Sequence, residues 1–394
     1  MIDKTAYLLP VPSSDDTLVK VGPGTPMGGL LRRYWQPVGI SADASDVPRQ
    51  IRVLCEDLIL FRDHQGRPGL LYPRCAHRGT NLYYGRVEEA GIRCCYHGWM
   101  FDVQGHCVEQ PCEPDSGGQH RARVRQPWYP LREEHGLLFA YMGPPEKMPA
   151  LPVFPFMEGM ADDEQIIADN TSIGSGGGAI VPCNWLQAFE NVCDPFHVPI
   201  LHGMISGLQF TDALSAMPVC EFDVTERGVR VSQDRRLGDG RHFRRVTEAM
   251  VPNLRLVPHP RPDSFDACHK VGWVVPIDDT NHRIFSLVRG KKGSNPAWDL
   301  RQTFEGRTWH ELSEAEHRTM PGDYEAQVGQ GPITFHSQEH LATSDRGVVM
   351  LRRMLKQQIE LTSRGDDPMN VTVGHNHVRV AIEAGNFILD ESGG

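Results

Sequence analysis

Cys75-Ala76-His77-Arg78-Gly79 and, fifteen residues on, Cys94-Cys95-Tyr96-His97-Gly98-Trp99 are the stretches whose reading decides the N-terminal fold. Each offers one soft thiolate and one imidazole within a short loop. A [2Fe-2S] cluster held by two cysteines on one iron and two histidines on the other needs that set. Two such loops put both sulfurs inward and both rings outward, leaving an edge from which electrons can depart. Gly79 and Gly98 let the backbone crowd the cluster and donate to its sulfurs. Structural zinc also takes two Cys and two His, but the usual zinc order groups like ligands, whereas here they alternate. Four unrelated buried residues at this density rank below both. Cys95 competes with Cys94 as ligand, and the Cys-x-x-His spacing favours Cys94.

Outward from these loops run short strand-like segments with turn signals between them: Arg52–Cys55, Leu58–Arg62, Gly69–Tyr72 and Gly136–Met142. They predict a small all-β unit. It is preceded by an N-terminal entry segment over residues 1–34, and residues 22–38 read as turn-rich. Gly143-Pro-Pro-Glu-Lys-Met-Pro-Ala-Leu-Pro-Val-Phe-Pro155 carries five prolines, which continue neither a helix nor a central strand, so the boundary falls there. The expected division is 1–34, 35–145 and 160–394.

In the third part, residues 184–203 read as helical and 220–290 as alternating strands and turns, with Asp278-Asp-Thr-Asn281 as one turn. Val348, Leu351, Met354, Leu355 and Ile359 recur at helical spacing, predicting a long helix on a sheet. Arg352, Arg353, Lys356 and Gln357 fill its other face, read as solvated surface. Gly174-Ser-Gly-Gly-Gly-Ala179 lacks nucleotide-loop spacing and reads as a loop. The fold class is α+β.

The second constellation is Asn184-Trp-Leu-Gln-Ala-Phe-Glu-Asn191-Val-Cys-Asp194-Pro-Phe-His197-Val-Pro-Ile-Leu-His202. Gln187, Asn191 and Asp194 fall on one helical face, and Asp194-Pro195 also reads as an N-cap with proline at the first position. His197 and His202 are five apart, about 140° on a straight helix and too far to share an ion. A kink or bulge near Pro199 would bring them together. Two histidines and one carboxylate make the facial triad of a non-haem Fe(II) oxygenase. By spacing, Asp323, Glu325 and Asp345 all compete for the carboxylate.

The whole chain bounds these readings. It has 394 residues, formal net charge -10 and ordinary globular composition. There is no basic block for nucleic acid and no apolar run for a membrane. Met1-Ile-Asp-Lys-Thr5 lacks the order of a signal peptide, so a cytoplasmic place with reduced thiols is expected. Cys55, Cys107, Cys112, Cys183, Cys193, Cys220 and Cys268 read as plain thiols.

The two Cys/His loops, with Tyr96 and Trp99, resemble the Rieske signature. Asp194-x-x-His197-x-x-x-x-His202 resembles the catalytic domain of Rieske non-haem iron oxygenases. Gly322-Asp-Tyr-Glu-Ala-Gln-Val-Gly-Gln-Gly-Pro-Ile333, Glu339 to Gly347 and Gly22-Pro-Gly-Thr-Pro-Met-Gly28 are similar to the phthalate dioxygenase-like branch. The resemblance implies an oxygenase (alpha) component: an N-terminal all-β Rieske domain followed by a helix-grip catalytic domain, an antiparallel sheet with a long helix. It implies Cys75, His77, Cys94 and His97 at the cluster, and His197, His202 and Asp323 on a mononuclear Fe(II). Asp194 then bridges His97 of one subunit and His197 of the next, in a homotrimer or a stacked hexamer, with Asn191 beside it; a purely structural cap is the other role for Asp194. Dioxygen is co-substrate, and NAD(P)H supplies electrons through a separate flavin and ferredoxin-type reductase. The implied reaction is hydroxylation of an aromatic carboxylate or aryl ether, ring dihydroxylation favoured, with oxidative O-demethylation of a methoxy-aromatic acid as the alternative. A Rieske electron carrier without its own catalysis is the competing class. Arg244 and Arg245 are candidates to clamp a substrate carboxylate.

Overall fold

A computed structural model describes residues 9–171, 180–207, 209–260, 266–294, 307 and 309–389. The expectations on Met1–Thr5 and Gly174–Ala179 lie outside them. The leading segment forms two short helices, Asp16–Val19 and Pro26–Leu31. Thr25 accepts from the Gly28 N–H and Pro26 follows it, a cap with proline at the first helical position. Leu18, Val19, Met27, Leu30 and Leu31 are buried, so this segment is a core element and not merely a string of turns.

Three small antiparallel sheets follow. One joins Trp35–Ile40, Leu137–Tyr141 and Leu131–Glu134. Another joins Arg49–Val53, Glu56–Arg62 and Pro68–Leu71. The third has four short strands between Arg86 and Glu109. Each anticipated strand is present, with one correction. Leu54 and Cys55 leave the strand at φ 49° and 65° as the tip of a hairpin in which Val53 pairs Glu56. Their N–H groups donate to the carbonyls of Pro276 and Ile277 on the strand Lys270–Asp278 of the large sheet in the second half. Tertiary contact thus overrides the β-propensity of these side chains.

The second half is built on an eight-stranded antiparallel sheet. It includes Gly228–Arg236, His242–Met250, Leu254–Leu256, Lys270–Asp278 and Asn281–Lys291. The turn at Asp278 forms as expected, its carboxylate accepting from the Thr280 N–H. The long helix spans Arg346–Ser363 and buries Val348, Leu351, Met354, Leu355 and Ile359, as the periodicity predicts. It packs on the sheet at the Phe222–Val231 pair, where Gly347 lets the helix approach the Phe222 ring. Its other face departs from expectation at Arg352. That guanidinium forks between Glu190 and Glu339 and is only 14% exposed. The sequence separation of 162 residues between Arg352 and Glu190 hides such a pair from helical periodicity.

One continuous core runs through the leading helices, the first sheet and the large sheet, with Phe139 against Trp273 at its centre. A smaller core, containing Cys75, Cys94, Trp99 and Phe101, lies under the two Cys/His loops.

Candidate functional site

The two Cys/His loops are closed alike. The Cys75 N–H donates to the Thr80 carbonyl and the Gly79 N–H back to Cys75; the Cys94 N–H donates to Trp99 and the Gly98 N–H back to Cys94. Gly79 and Gly98 sit at φ 79° and 72°, where a side chain is strained. Cys75 and Cys94 are buried at the loop bases, while Cys95 is exposed on the far side. Burial above all, together with the neighbouring Cys94, pushes the Cys75 thiol up to about 12. The rings of His77 and His97 lie 4.5 Å apart, and Trp99 stacks on His77 at 4.3 Å. Burial, then His97 and Arg78, lowers the His77 pKa, which favours the neutral imidazole that binds metal. Two sulfurs inside and two rings outside fit a Rieske cluster.

The second constellation is not one helix. Trp185–Glu190 is α-helical, Asn191–Cys193 tightens to a 3-10 turn, and the chain breaks at Asp194. The Asp194 carboxylate accepts from the N–H groups of Phe196 and His197 at 3.0 and 3.3 Å, the expected cap. Then Ile200–Ile205 winds as a π-helix, closed by the Ser206 N–H on the Leu201 carbonyl. With bonds reaching five residues back, positions five apart return to one face, as happens at many functional sites. This brings His197 and His202 to 5.6 Å between ring centroids. The bulge anticipated at Pro199 therefore takes the form of a π-turn.

Asp323 opens a helix, Asp323–Val328, held to this segment from two sides. Gln187 donates to the carbonyls of Gln327 and Gly331, and Ser206 to that of Pro321. Asp323 Oδ1 lies 3.2 Å from His202 Nε2 and 3.5 Å from His197 Nε2. Asn191 Nδ2 donates to the same oxygen at 3.2 Å and stands 3.3 Å from His197 Nε2. The ligand atoms of His197, His202 and Asp323 all lie within 4.8 Å of one another. Burial would raise the Asp323 carboxyl, but His202, His197 and Arg255 outweigh it and hold it well below the usual carboxylate range. Two imidazoles and one ionised carboxylate converge as a facial triad requires. Glu325 is turned away, accepting from the Gly322 N–H, the Trp309 indole and His317. Asp345 accepts from the Ala342 N–H.

Further partners orient the rings. His202 Nδ1 donates to Gln209 Oε1 at 2.6 Å, fixing Nε2 toward Asp323. Asp194 Oδ2 faces His197 Nδ1 at 3.5 Å, and that buried nitrogen makes no hydrogen bond. Burial lowers the His197 pKa, but Asp194 and Asp323 overcome this and raise it. The candidate clamp residues lie elsewhere. Arg244 is bidentate on Asp234, and Arg245 is used up on the Pro258 and His259 carbonyls and Asn386. Sequence reasoning missed Gln209 and Arg255. Gln209 follows His202 by seven residues with no distinguishing pattern, and Arg255 sits in an apolar Leu-Arg-Leu strand, the one visible signal.

Comparison with known proteins places the chain in a family. Residues 34–129 match the Rieske [2Fe-2S] domain model. Phenoxybenzoate dioxygenase subunit alpha of Ectopseudomonas oleovorans is 48% identical over 381 residues, covering 95% of this chain and 91% of the relative. The 5,5'-dehydrodivanillate O-demethylase oxygenase subunit of Sphingobium sp. is 34% identical, covering 90% of this chain and 81% of the relative. The phthalate 4,5-dioxygenase oxygenase subunit of Pseudomonas putida is 29% identical, covering 90% and 87%. The crystal structure of dicamba monooxygenase bound to dicamba shares the fold, with a TM-score of 0.60 at 17% identity over 85% of this chain and 99% of that one. The chain belongs to the Rieske non-haem iron oxygenases, enzymes that carry a Rieske [2Fe-2S] cluster and a mononuclear iron. Within them it is an oxygenase component of the phthalate dioxygenase-like branch.

Proposed function

We propose that this chain is the terminal oxygenase of a multicomponent system that hydroxylates an aromatic carboxylate or aryl ether, with ring dihydroxylation as the favoured outcome. The observation that carries the reading is the convergence of His197, His202 and Asp323 in a chain that also folds the two cluster loops. An electron carrier needs no second metal centre. Cys75, His77, Cys94 and His97 hold the cluster, with Cys95 outside it. His197, His202 and Asp323 would hold the iron as the two imidazoles and one carboxylate of a facial triad. When bound, the iron supplies dioxygen activation and the cluster supplies electrons one at a time. Gln209 keeps His202 in the tautomer that leaves Nε2, which faces Asp323, free to bind a metal. Asn191 keeps Asp323 oriented by its 3.2 Å hydrogen bond.

Asp194 is the bridge between the centres. Its carboxylate is 37% exposed on one side and faces His197 on the other. His97 makes its ring contacts with His77 and Tyr96, and among the described residues no hydrogen bond joins it to Asp194 of the same chain. A head-to-tail homotrimer, or two stacked into a hexamer, supplies the missing partner. On this reading the working units are residues 35–145 and 160–394, with 1–34 leading. The electron donor is a flavin and ferredoxin-type reductase drawing on NAD(P)H. The ten cysteines are all unpaired, which suits a reducing, cytoplasmic compartment. No helix among the described residues is long and apolar enough to cross a membrane.

O-demethylation is the second reading, favoured by the O-demethylase subunit among the relatives. Both share the same residues; the outcome depends on which substrate carbon faces the iron. Screening aromatic acids and aryl ethers for substrate-coupled oxygen uptake tests the proposal. Uptake with a hydroxylated or demethylated product supports it. Cluster reduction with no coupled uptake across the panel overturns it.

A further inference from the structure

The large sheet places a second set of chemistry-bearing residues against the iron site. Thr247 donates to the Val192 carbonyl, so the face of the sheet bearing Thr247 looks toward the iron-binding segment. Side chains two apart on a strand share a face, as do directly paired residues. Ala249, two beyond Thr247, pairs Arg255; Arg255 pairs Gly272; Gly272 pairs Ser286. Arg255 therefore points to the iron side, as does Lys270, two before Gly272. A Cβ on Gly272 would meet Arg255 Cγ at 2.9 Å, so the glycine gives the arginine stem its path across the sheet.

Arg255 is 6% exposed, and its Nε has no hydrogen-bond partner. Among the described residues neither its guanidinium nor the Lys270 ammonium makes a hydrogen bond or ion pair. A buried guanidinium is ordinarily paired, and an orphan is costly; Lys270 is half-buried. The other arginines of this face do make hydrogen bonds: Arg245 has carbonyls and Asn386, and Arg235 reaches Ala216 and Gln233 although its Nη1 makes none. Nearby Asp169 turns its oxygens to Thr171. Burial, and then the Arg255 charge, lowers Lys270 to about 8, with Asp169 acting the other way.

We infer that Arg255 and Lys270 are the specificity-determining pair that receives the carboxylate of an aromatic acid substrate, anchoring one end while the ring faces the iron. This rests on the oxygenase reading and sharpens it: an anion is selected, and the neutral counterpart is not. A planar guanidinium suits a carboxylate, and the lysine adds a point charge.

The test uses the holoenzyme and its Arg255→Met and Lys270→Met variants. Binding of benzoate, phthalate and phenoxybenzoate, and of their uncharged amides, is followed calorimetrically without oxygen. The wild type is expected to bind at least one acid tenfold or more tightly than its amide. Each variant should weaken acid binding at least tenfold, leave amide binding within about twofold, and keep full iron content. Wild type with no preference for acids, or variants that lose iron or lose acid and amide binding equally, would assign Arg255 a merely structural role and overturn the inference. Those results leave the oxygenase reading standing, because oxygen uptake with neutral aryl ethers decides that separately.

Discussion

Asp323 Oδ1 stands 3.2 Å from His202 Nε2 although 121 residues separate the two in sequence. The pairing depends on the π-turn that aligns His202 with His197 and on the Gln187 amide that ties down the Asp323 helix. Removing the carboxylate leaves two imidazoles and no anionic ligand. Asp323→Ala is therefore expected to purify with about two irons per chain in place of about three. Iron analysis beside the visible cluster spectrum checks this; unchanged iron content would remove Asp323 from the site.

The cluster loops depend on backbone conformation as much as on ligands. At Gly98, φ is 72° and a Cβ would meet Pro111 Cγ at 2.7 Å. A non-glycine residue in that conformation costs roughly 1–2 kcal/mol before the clash is counted. Gly98→Val should lose most of the cluster absorbance while circular dichroism keeps the sheet signal. Full cluster loading in the variant would show that the loop has no need of glycine there.

His282 gives the protein an acid-sensitive point on the large sheet. It is fully buried, its Nδ1 donating to the Cys183 carbonyl at 2.9 Å. Burial foremost, with repulsion from Arg255, lowers it from 6.5 to about 4. Between those values the unfolded chain binds a proton that the folded chain refuses, so stability falls as pH drops through this window and is unaffected above it. At roughly 1.4 kcal/mol per pH unit, the wild type should lose about 2 kcal/mol more than His282→Gln between pH 7 and pH 5. Denaturant unfolding at the two pH values measures the difference; equal losses would mean that His282 is protonated in the fold.

The cluster loops were legible because their chemistry is local: four ligands and two glycines lie within 25 residues, Cys75 to Trp99. The long helix was legible because burial imposes a period on Val348, Leu351, Met354, Leu355 and Ile359. The iron carboxylate was not, since Asp323, Glu325 and Asp345 are equivalent until the chain folds. It took the Gly322 N–H, the Trp309 indole and His317 to occupy Glu325, and the turn at Ala342 to occupy Asp345. Arg352 and the Arg244/Arg245 pair were misread for one reason. An arginine's partner is set by tertiary contact: Glu190 and Glu339 for Arg352, Asp234 for Arg244, and the Pro258 and His259 carbonyls with Asn386 for Arg245.

The central claim is that electrons pass from the cluster to the iron through Asp194 and emerge in an oxygenated product. Single turnover of chemically reduced Asp194→Asn, followed by cluster absorbance and product together, tests it most directly. The wild type should reoxidise its cluster in step with product formation. The variant should keep both metals, remain reduced and form no product within the same time. Wild-type rates of cluster oxidation and product formation in Asp194→Asn would contradict the account.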